Sequence, residues 1–429
     1  MNPHPLLRLR LKTTCRALAS LLLVSVIAST VTAQQTPARS PDTTLQLRDG
    51  DRVVLLGSTF IERAQSYGYI EAALTSRAYP NRVEFRNLGW SGDTVFGEAR
   101  AGFGRVADGF AHLKQHVLEL EPTVILLNYG ANESFAGRAG LQEFSEGLET
   151  LLQTLDETGA RIVFLSPTPH EDLGRPLPDP AEHNRQLALY TKTLADVARD
   201  RGATFVDLFE GLGKNLQPKS SAPLTDNGLH LTQYGYWRAA PVIEQALTQD
   251  QRDWLIEIDA RRSNIAGRGM EIQEAEFLPG RIRLQVRDLV LPHPLPPDDA
   301  PAEAQAVVSP RVVRVFGLPR GTFALRIDGQ QIVAATSQQW AAGVQLTSGP
   351  DFEQAEALRR AIVAKNELYF HRWRPQNVTY LFGFRKHEQG NNAVEIPQFD
   401  PLVEEAEAEI HGLAEPASHL YEMLEVRSR

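Results

Sequence analysis

Several residues in the first half of the chain are of the types that carry out acyl transfer. Ser58 and Thr59 directly follow a short apolar run, while Gly92 and Asn132 lie in loops further along the chain. His230 comes last. A hydroxyl can attack a carbonyl carbon, a histidine can take its proton, and N–H donors stabilise the tetrahedral oxyanion. Each of these residues alone also fits an ordinary turn or cap, so their order and placement carry the interpretation.

Five short apolar segments alternate with helical patterns over the same part of the chain. The predicted strands are Val53–Leu56, Val83–Arg86, Val124–Leu127, Ile162–Leu165 and Thr204–Val206. The predicted helices are Ile61–Leu74, Val106–Leu120, Leu141–Leu155, Glu182–Arg199 and Thr232–Thr248. This alternation predicts an α/β fold with a doubly wound parallel sheet. Because ligands bind outside the carboxyl ends of such strands, the loops that follow them are expected to meet at one edge.

The pattern changes near residue 263. Period-2 segments within 263–350, with a turn at Asp328-Gly329, predict a smaller antiparallel β unit. Residues 351–429 are predicted to form a helical C-terminal segment that packs on the main domain, 45–262. Between its two predicted helices, Phe352–Arg372 and Leu402–Leu413, the stretch from Trp373 to Asn392 is rich in aromatic, amide and guanidinium groups, which suit a sugar or a carboxylate. A solvated edge that packs back on the main domain is the alternative interpretation of this stretch, and it is favoured over a ligand role.

The N-terminal 33 residues resemble a secretory signal peptide. Arg8, Arg10, Lys12 and Arg16 precede an apolar run from Leu18 to Ile27, and Val31-Thr32-Ala33 offers small residues for cleavage. The segment is short for a membrane span, although an uncleaved anchor is the alternative. We therefore expect an exported protein, periplasmic or secreted, with no membrane span after the signal is removed.

Composition narrows the classes of partner and cofactor. The formal charge of −9 falls to −13 without residues 1–33, since 53 acidic residues then face 40 basic ones. An acidic surface argues against nucleic acid as a partner. The single cysteine, Cys15, lies in the signal segment, so a Cys-ligated metal is excluded from the mature chain. No metal or organic cofactor is implied, and the sequence does not indicate an oligomeric state.

The motifs together resemble the SGNH hydrolases, also called the GDSL family of esterases and acylhydrolases, over roughly Asp51 to Leu247. The family's Gly-Asp-Ser block falls on Gly57-Ser58-Thr59, its second-block glycine on Gly92, and its Gly-x-Asn on Gly130-Ala131-Asn132. Its Asp-x-x-His block ends on His230. The resemblance implies a flavodoxin-like α/β/α fold, with Gly92 and Asn132 as oxyanion donors and no cofactor.

The chain departs from the family where catalysis is decided. Thr59 holds the nucleophile's position, and Ser58 stands where the family has aspartate. Asn227 lies three residues before His230, and Asp226 is one residue further back. The resemblance implies an ester hydrolase acting on acylated carbohydrate or another small ester. In it, Ser58 or Thr59 attacks, His230 is the base, and Asp226, in preference to Asn227, orients the ring.

A second hypothesis belongs to a different class of protein. In it, the SGNH domain has lost catalysis and binds a glycan or a partner, with the stretch from Trp373 to Asn392 as one possible surface. The altered residues at positions 58, 59 and 227 are the sequence features that motivate this alternative.

Overall fold

A parallel sheet with helices on both faces forms the first half of the protein. The computed structural model describes residues 45–102, 104–214, 222–248, 252–301, 304 and 311–426. The sheet has the order β2-β1-β3-β4-β5. Its strands are β1 (Arg52–Gly57), β2 (Glu84–Asn87), β3 (Val124–Asn128), β4 (Arg161–Leu165) and β5 (Thr204–Val206). The predicted doubly wound α/β fold is therefore confirmed. The proposed signal peptide, residues 1–33, and Cys15 lie outside the described residues.

Seven helices are described between β1 and the end of this part of the chain. They are α1 (Thr59–Ala64), α2 (Tyr69–Ala78), α3 (Val106–Glu119), α4 (Leu141–Asp156), α5 (Ala181–Asp200), α6 (Leu208–Gly213) and α7 (Gln233–Thr248). Alternate side chains of β1 enter two separate cores. Val53 and Leu55 pack in one core with α2 and α7. Val54 and Leu56 pack in the other with α3, α4 and α5, so the central strand is buried on both faces.

The predicted helix Ile61–Leu74 is wrong as a single element. The chain forms α1 and α2, which are separated by Gly68 in a left-handed conformation with φ of 68°. A Cβ at Gly68 would lie 3.0 Å from a methyl group of Val363 and 3.1 Å from the carbonyl oxygen of Arg359. The helix therefore breaks where the chain turns closely beneath a C-terminal helix, a contact that apolar spacing does not reveal.

Two further sheets share one apolar core. One has the order β13-β10-β6-β7 and the other β12-β11-β14-β9-β8. Their strands are β6 (Trp254–Asp259), β7 (Asn264–Arg268), β8 (Met270–Leu278), β9 (Arg281–Asp288), β10 (Arg311–Phe316), β11 (Thr322–Ile327), β12 (Gln330–Thr336), β13 (Val344–Leu346) and β14 (Ser418–Glu425). The strands pair antiparallel except β6 and β10, which are parallel.

The β unit extends beyond the predicted range 263–350 at both ends. β6 precedes residue 263 and pairs with β10 and β7. β14 lies within the segment predicted to be helical, yet it pairs with both β11 and β9. Its polar residues hid the strand pattern, since His419 contacts Asp328 at 2.6 Å and Glu422 is buried against Arg281 and Arg283.

The C-terminal helices connect the two halves of the molecule. After the short α8 (Ser337–Ala342), they are α9 (Pro350–Trp373), α10 (Val378–Leu381) and α11 (Phe399–Ala414). Lys365 of α9 is buried and forms a 2.6 Å ion pair with Glu71 of α2. Its ammonium also donates to the carbonyl oxygen of Phe85, 3.0 Å away. Among the described residues, no helix combines the length and the apolar character needed to cross a membrane.

A buried guanidinium joins the β unit to α9, and its removal should destabilise the protein. Arg311, whose side chain is 2% exposed, pairs with Asp288 and lies 3.1 Å from Asp351. We expect Arg311→Met to lower the free energy of unfolding by about 3–5 kcal/mol, because two buried carboxylates lose their cation. Urea unfolding at neutral pH measures this. Arg314 on the same strand, which pairs with Glu257 at 3.3 Å on the surface, supplies the control. Equal stability of Arg311→Met and Arg314→Met would contradict the expectation.

Candidate active site

The candidate site lies where β1 and β3 end side by side. Gly57 pairs with Asn128 at the carboxyl ends of these strands, which is the switch point of a sheet of this order. A Cβ at Gly57 would lie 2.4 Å from the carbonyl oxygen of Asn128, so a larger residue cannot be accommodated there. Ser58 then caps α1, and Thr59 is the first residue of that helix. Both hydroxyls are thereby fixed at the start of a helix, above the sheet.

The two predicted oxyanion donors reach two different hydroxyls. The Gly92 N–H donates to Thr59 Oγ1 over 3.2 Å. The Asn132 side-chain Nδ2 donates to Ser58 Oγ and to the Asp93 carbonyl oxygen, both over 2.7 Å. Ser58 is buried, whereas Thr59 is partly exposed. The structure therefore brings Ser58, Thr59, Gly92 and Asn132 together, with Thr59 as the more accessible hydroxyl.

Close packing against α1 holds the loop that carries Gly92. The Asn87 side chain donates to the carbonyl oxygen of Ile61 over 2.7 Å and accepts from the Gly89 N–H over 2.8 Å. A Cβ at Gly89 would lie 2.1 Å from the backbone nitrogen of Glu62, so the loop backbone touches the helix backbone. Gly92 itself has a positive φ of 77°, which turns the chain over the start of α1.

Two acids, the buried Asp93 and the half-buried Glu133, fasten the donor loops to each other. Asp93 accepts from Arg100 Nε over 2.6 Å and from the Tyr129 hydroxyl over 3.0 Å. Burial raises the pKa of Asp93, against the opposing effect of Arg100. Glu133 accepts from the N–H groups of Val95 and Gly130, over 2.9 and 2.8 Å. Desolvation raises the pKa of Glu133 to about 7 despite those two donors. The loops bearing Gly92 and Asn132 are therefore linked by hydrogen bonds.

Asn227, and not Asp226, contacts the imidazole of His230. The Asn227 Nδ2 lies 3.1 Å from His230 Nδ1. The Asn227 Oδ1 accepts from the backbone N–H groups of Leu229 and His230, over 3.1 and 2.9 Å. These two bonds set the orientation of the amide, so that its NH₂ group faces the ring. His230 Nδ1 therefore accepts, and in the neutral ring the proton lies on Nε2.

The expectation that Asp226 orients the histidine is not met by the structure. The Asp226 carboxylate pairs with Arg63 of α1, with 2.8 Å between Oδ2 and Nη2. A guanidinium 163 residues earlier in the chain takes this carboxylate, which no local spacing could indicate. The pKa of His230 is lowered, first by burial and then by the positive charge of Arg63.

One open pocket collects the hydroxyls, the amide and the histidine. It is lined by Ser58, Thr59, Phe60, Arg63, Asn128, Ala131, Asn132, Phe135, Thr168, His170, Leu229, His230, Leu231 and Tyr236. Within the described ranges, no group of three or more His, Cys, Asp or Glu side chains is placed to hold a metal ion. The pocket thus combines the two hydroxyls and the Asn132 amide with the imidazoles of His170 and His230, the guanidinium of Arg63 and apolar side chains.

Three aromatic rings pack together beside this pocket, and two of them, Phe135 and His170, line it. The His183 ring stacks on His170 at 4.5 Å and is tilted against Phe135 at 4.1 Å between ring centroids. Ser134 holds His183 through a 3.0 Å contact with Nε2. Phe135 is 64% exposed, so part of its ring is open to solvent. None of the three rings belongs to a motif block of the sequence.

The first residues of the aromatic stretch that begins at Trp373 pack against the α/β part of the protein. The Trp373 ring meets the rings of Trp90 and His116 at 5.9 and 5.4 Å. The Arg374 guanidinium lies 3.6 Å from the centre of the Trp90 ring. Trp373 therefore packs on the main domain, as the alternative interpretation expected.

This architecture is that of the SGNH-type hydrolase fold. The family model of the GDSL-like lipase/acylhydrolase family matches residues 55–238. The resemblance predicted from the four motif blocks is confirmed. This match supports a hydrolase that cleaves esters in general.

One solved structure resembles this chain well beyond the α/β part. A gut microbial diltiazem-metabolizing enzyme superposes with a TM-score of 0.71 at 17% identity, covering 90% of this chain and 99% of its own. A catalytic mutant of an acetylxylan esterase from Geobacillus stearothermophilus covers 47% of this chain and 96% of its own, with 17% identity and a TM-score of 0.38. An α/β hydrolase enzyme from the metagenome of Lake Arreo, Spain, covers 47% and 97%, with 19% identity and a TM-score of 0.38. No curated protein matches the sequence.

The stacked histidines should make stability depend on pH. Burial, then His183 and His230, lower the pKa of His170 from 6.5 to about 4. Between these values the unfolded chain binds a proton that the folded chain does not, so stability falls as the pH falls through this window. We expect His170→Phe to lose less stability than the wild type between about pH 7 and pH 4. Urea unfolding across that range measures it, with His387→Phe, at an exposed histidine, as control. Identical pH profiles for wild type and His170→Phe would refute the assignment.

Proposed function

We propose that the protein hydrolyses small acyl esters, with Thr59 as the nucleophile. The observation that carries this proposal is the 3.2 Å contact between the Gly92 N–H and Thr59 Oγ1, in the pocket that also holds Asn132 and His230. Thr59 occupies the family's nucleophile position and is partly exposed. Ser58 is buried, and its Oγ already accepts from Asn132, so it supports the donor and does not attack.

The reaction follows the order of acyl transfer through a covalent intermediate. Thr59 Oγ forms a bond to the ester carbonyl carbon while His230 Nε2 takes the hydroxyl proton, which requires the tautomer of the neutral ring that carries its own proton on Nδ1. The carbonyl oxygen becomes an oxyanion beside the Gly92 N–H and the Asn132 amide, which donates to it in place of Ser58 Oγ. The intermediate collapses, the C–O bond to the alcohol breaks, and His230 returns the proton to the alcohol. Water then releases the acid from Thr59 by the same steps.

The rings that pack together beside the pocket favour a ring-bearing ester, such as an acylated carbohydrate. Phe135 presents an exposed face at the pocket, and the pKa of each of the two histidines behind it is lowered, so their rings stay neutral at neutral pH. A neutral aromatic surface packs against the apolar face of a sugar or another flat ring. Export directed by residues 1–33 is part of the proposal, and mass spectrometry of the mature N terminus tests it.

A second function is favoured by the orientation of the Asn227 amide. With the proton on Nε2, the neutral His230 ring has no lone pair there to take the hydroxyl proton. In serine proteases, an Asp-to-Asn change at the orienting residue imposes this tautomer and lowers kcat about 10⁴-fold. A domain with so weak a base fits a protein that binds a ring-bearing ester and turns it over very slowly, or not at all.

Substitution of the hydroxyls separates these functions. On an acetylated monosaccharide, we expect Thr59→Ala and His230→Ala each to lower kcat by about 10³-fold or more, and Ser58→Ala by less than about 10-fold. Thr59→Ser should stay active, since it keeps the hydroxyl. Activity that survives both Thr59→Ala and His230→Ala would refute the mechanism. A wild type that is inactive, but stabilised by the sugar ester in thermal unfolding, would favour the binding function.

Restoring a carboxylate at position 227 should raise activity. In Asn227→Asp, one carboxylate oxygen can keep the bonds from the Leu229 and His230 N–H groups, while the other accepts from His230 Nδ1. The base then has a lone pair on Nε2, and we expect kcat to rise by roughly 10- to 1,000-fold. The negative charge also raises the pKa of His230, so the acid limb of the pH–rate profile should move to higher pH.

The neighbouring acid offers a matched control. Asp226→Asn removes a carboxylate that pairs with Arg63, so it should give no such gain. Asn227→Asp with unchanged kcat and a normal unfolding midpoint would show that the tautomer of His230 does not limit turnover.

A further inference from the structure

The end of α9 reaches the loop that carries the Gly92 donor. Arg374 directly follows this helix, and its guanidinium lies 3.6 Å from the centre of the Trp90 ring. Its Nη1 also lies 3.1 Å from Glu62 Oε2. One side chain from the C-terminal segment therefore contacts both the loop that follows β2 and helix α1.

Glu62 connects Arg374 to the residue next to the Gly92 donor. It lies on α1, three residues after Thr59, and its Oε2 also accepts from the Ser91 N–H. Ser91 immediately precedes Gly92, whose N–H lies 3.2 Å from Thr59 Oγ1. The carboxylate of Glu62 thus holds the loop at the residue next to the donor, and Arg374 holds that carboxylate.

Trp90 is held on several sides at the same time. The guanidinium groups of Arg374 and Arg100 lie 3.6 and 5.4 Å from the centre of its ring, and the Trp373 ring meets it in an edge arrangement. Its backbone N–H donates to the carbonyl oxygen of Gly57 over 3.0 Å. By contrast, a Cβ at Gly92 would meet no atom within 4 Å. The position of the Gly92 N–H is therefore set by the contacts of the residues around it, with Trp90 and Ser91 on one side and Asp93 on the other.

We propose that Arg374 is a positioning residue, which places the Gly92 N–H for the oxyanion through Glu62 and Trp90. This inference rests on the proposed ester hydrolysis, and it assigns to the C-terminal segment a part in that reaction. The Arg374–Glu62 pair is partly exposed, at 25% and 21%, so it adds little to overall stability. Its effect should appear in turnover, because losing one oxyanion donor lowers kcat by about 10²–10³-fold.

Kinetics of matched arginine variants test the proposal. We expect Arg374→Ala to lower kcat by about 10- to 100-fold on a short acyl ester, with KM changed by less than about 2-fold. Arg374→Lys should fall between Arg374→Ala and the wild type, since lysine keeps the charge but not the planar stacking on Trp90. Glu62→Gln should lower kcat in the same way. Arg372, whose partner is Asp400 at 2.7 Å, supplies the control, and Arg372→Ala should match the wild type.

Hydrogen exchange of the loop separates this proposal from the proposal of hydrolysis. In Arg374→Ala, the backbone amides of residues 88–95 should exchange faster than in the wild type, with an unchanged unfolding midpoint. Arg372→Ala should leave that exchange unchanged. If the wild type cleaves no ester, the hydrolysis proposal fails, and the exchange rates still show whether Arg374 holds the loop. Unchanged exchange in Arg374→Ala, or unchanged kcat in an active enzyme, would overturn the inference.

Discussion

The candidate site depends on how closely three backbone segments approach one another at the ends of β1 and β3. The Ser58 N–H donates to the carbonyl oxygen of Asn128 over 3.3 Å, at the point where the parallel strands separate. A Cβ at Gly57 would collide with that same carbonyl, and one at Gly89 would collide with the backbone of Glu62. These contacts leave no room for side chains, so α1 and the loop after β2 approach each other backbone to backbone. The position of Thr59 relative to the Gly92 N–H follows from this close approach.

The chemistry of the site depends on one atom of residue 227, the side-chain atom that faces His230 Nδ1. An aspartate and an asparagine can both accept the N–H groups of Leu229 and His230, so the loop can fold in the same way with either residue. They differ only in whether the remaining atom accepts from the imidazole or donates to it. The fold of this loop therefore does not require a carboxylate at position 227. A family member can keep the geometry of a catalytic site while the tautomer of its base changes.

Most of the sheet was predictable from sequence, because buried parallel strands are continuous apolar runs and β5 is predicted with its observed bounds. The motif blocks also placed Thr59, Asn132 and His230 at one pocket. What sequence missed depends on contacts between distant residues. Asp226 turns away from His230 because Arg63 attracts it, and the helix after β1 breaks because Gly68 lies against α9. β14 escaped notice because its polar residues pair inside the sheet, which disguises the alternation of buried side chains.

Helix α9 connects the β unit to the α/β part of the protein, because its two ends contact one part each. Near its start, Asp351 is buried against Arg311 and the Tyr421 hydroxyl, each at 3.1 Å, within the β unit. After its end, Arg374 lies on Trp90, in the loop that carries Gly92. A helix of 24 residues is about 36 Å long, so one element spans from the β unit to the candidate site. The likeness to a diltiazem-metabolizing enzyme covers 90% of this chain, so that protein shares the whole arrangement and not only the α/β part. A β unit that anchors the far end of α9 would hold Arg374 in place, and this gives the distant sheets a role in the geometry of the donor at Gly92.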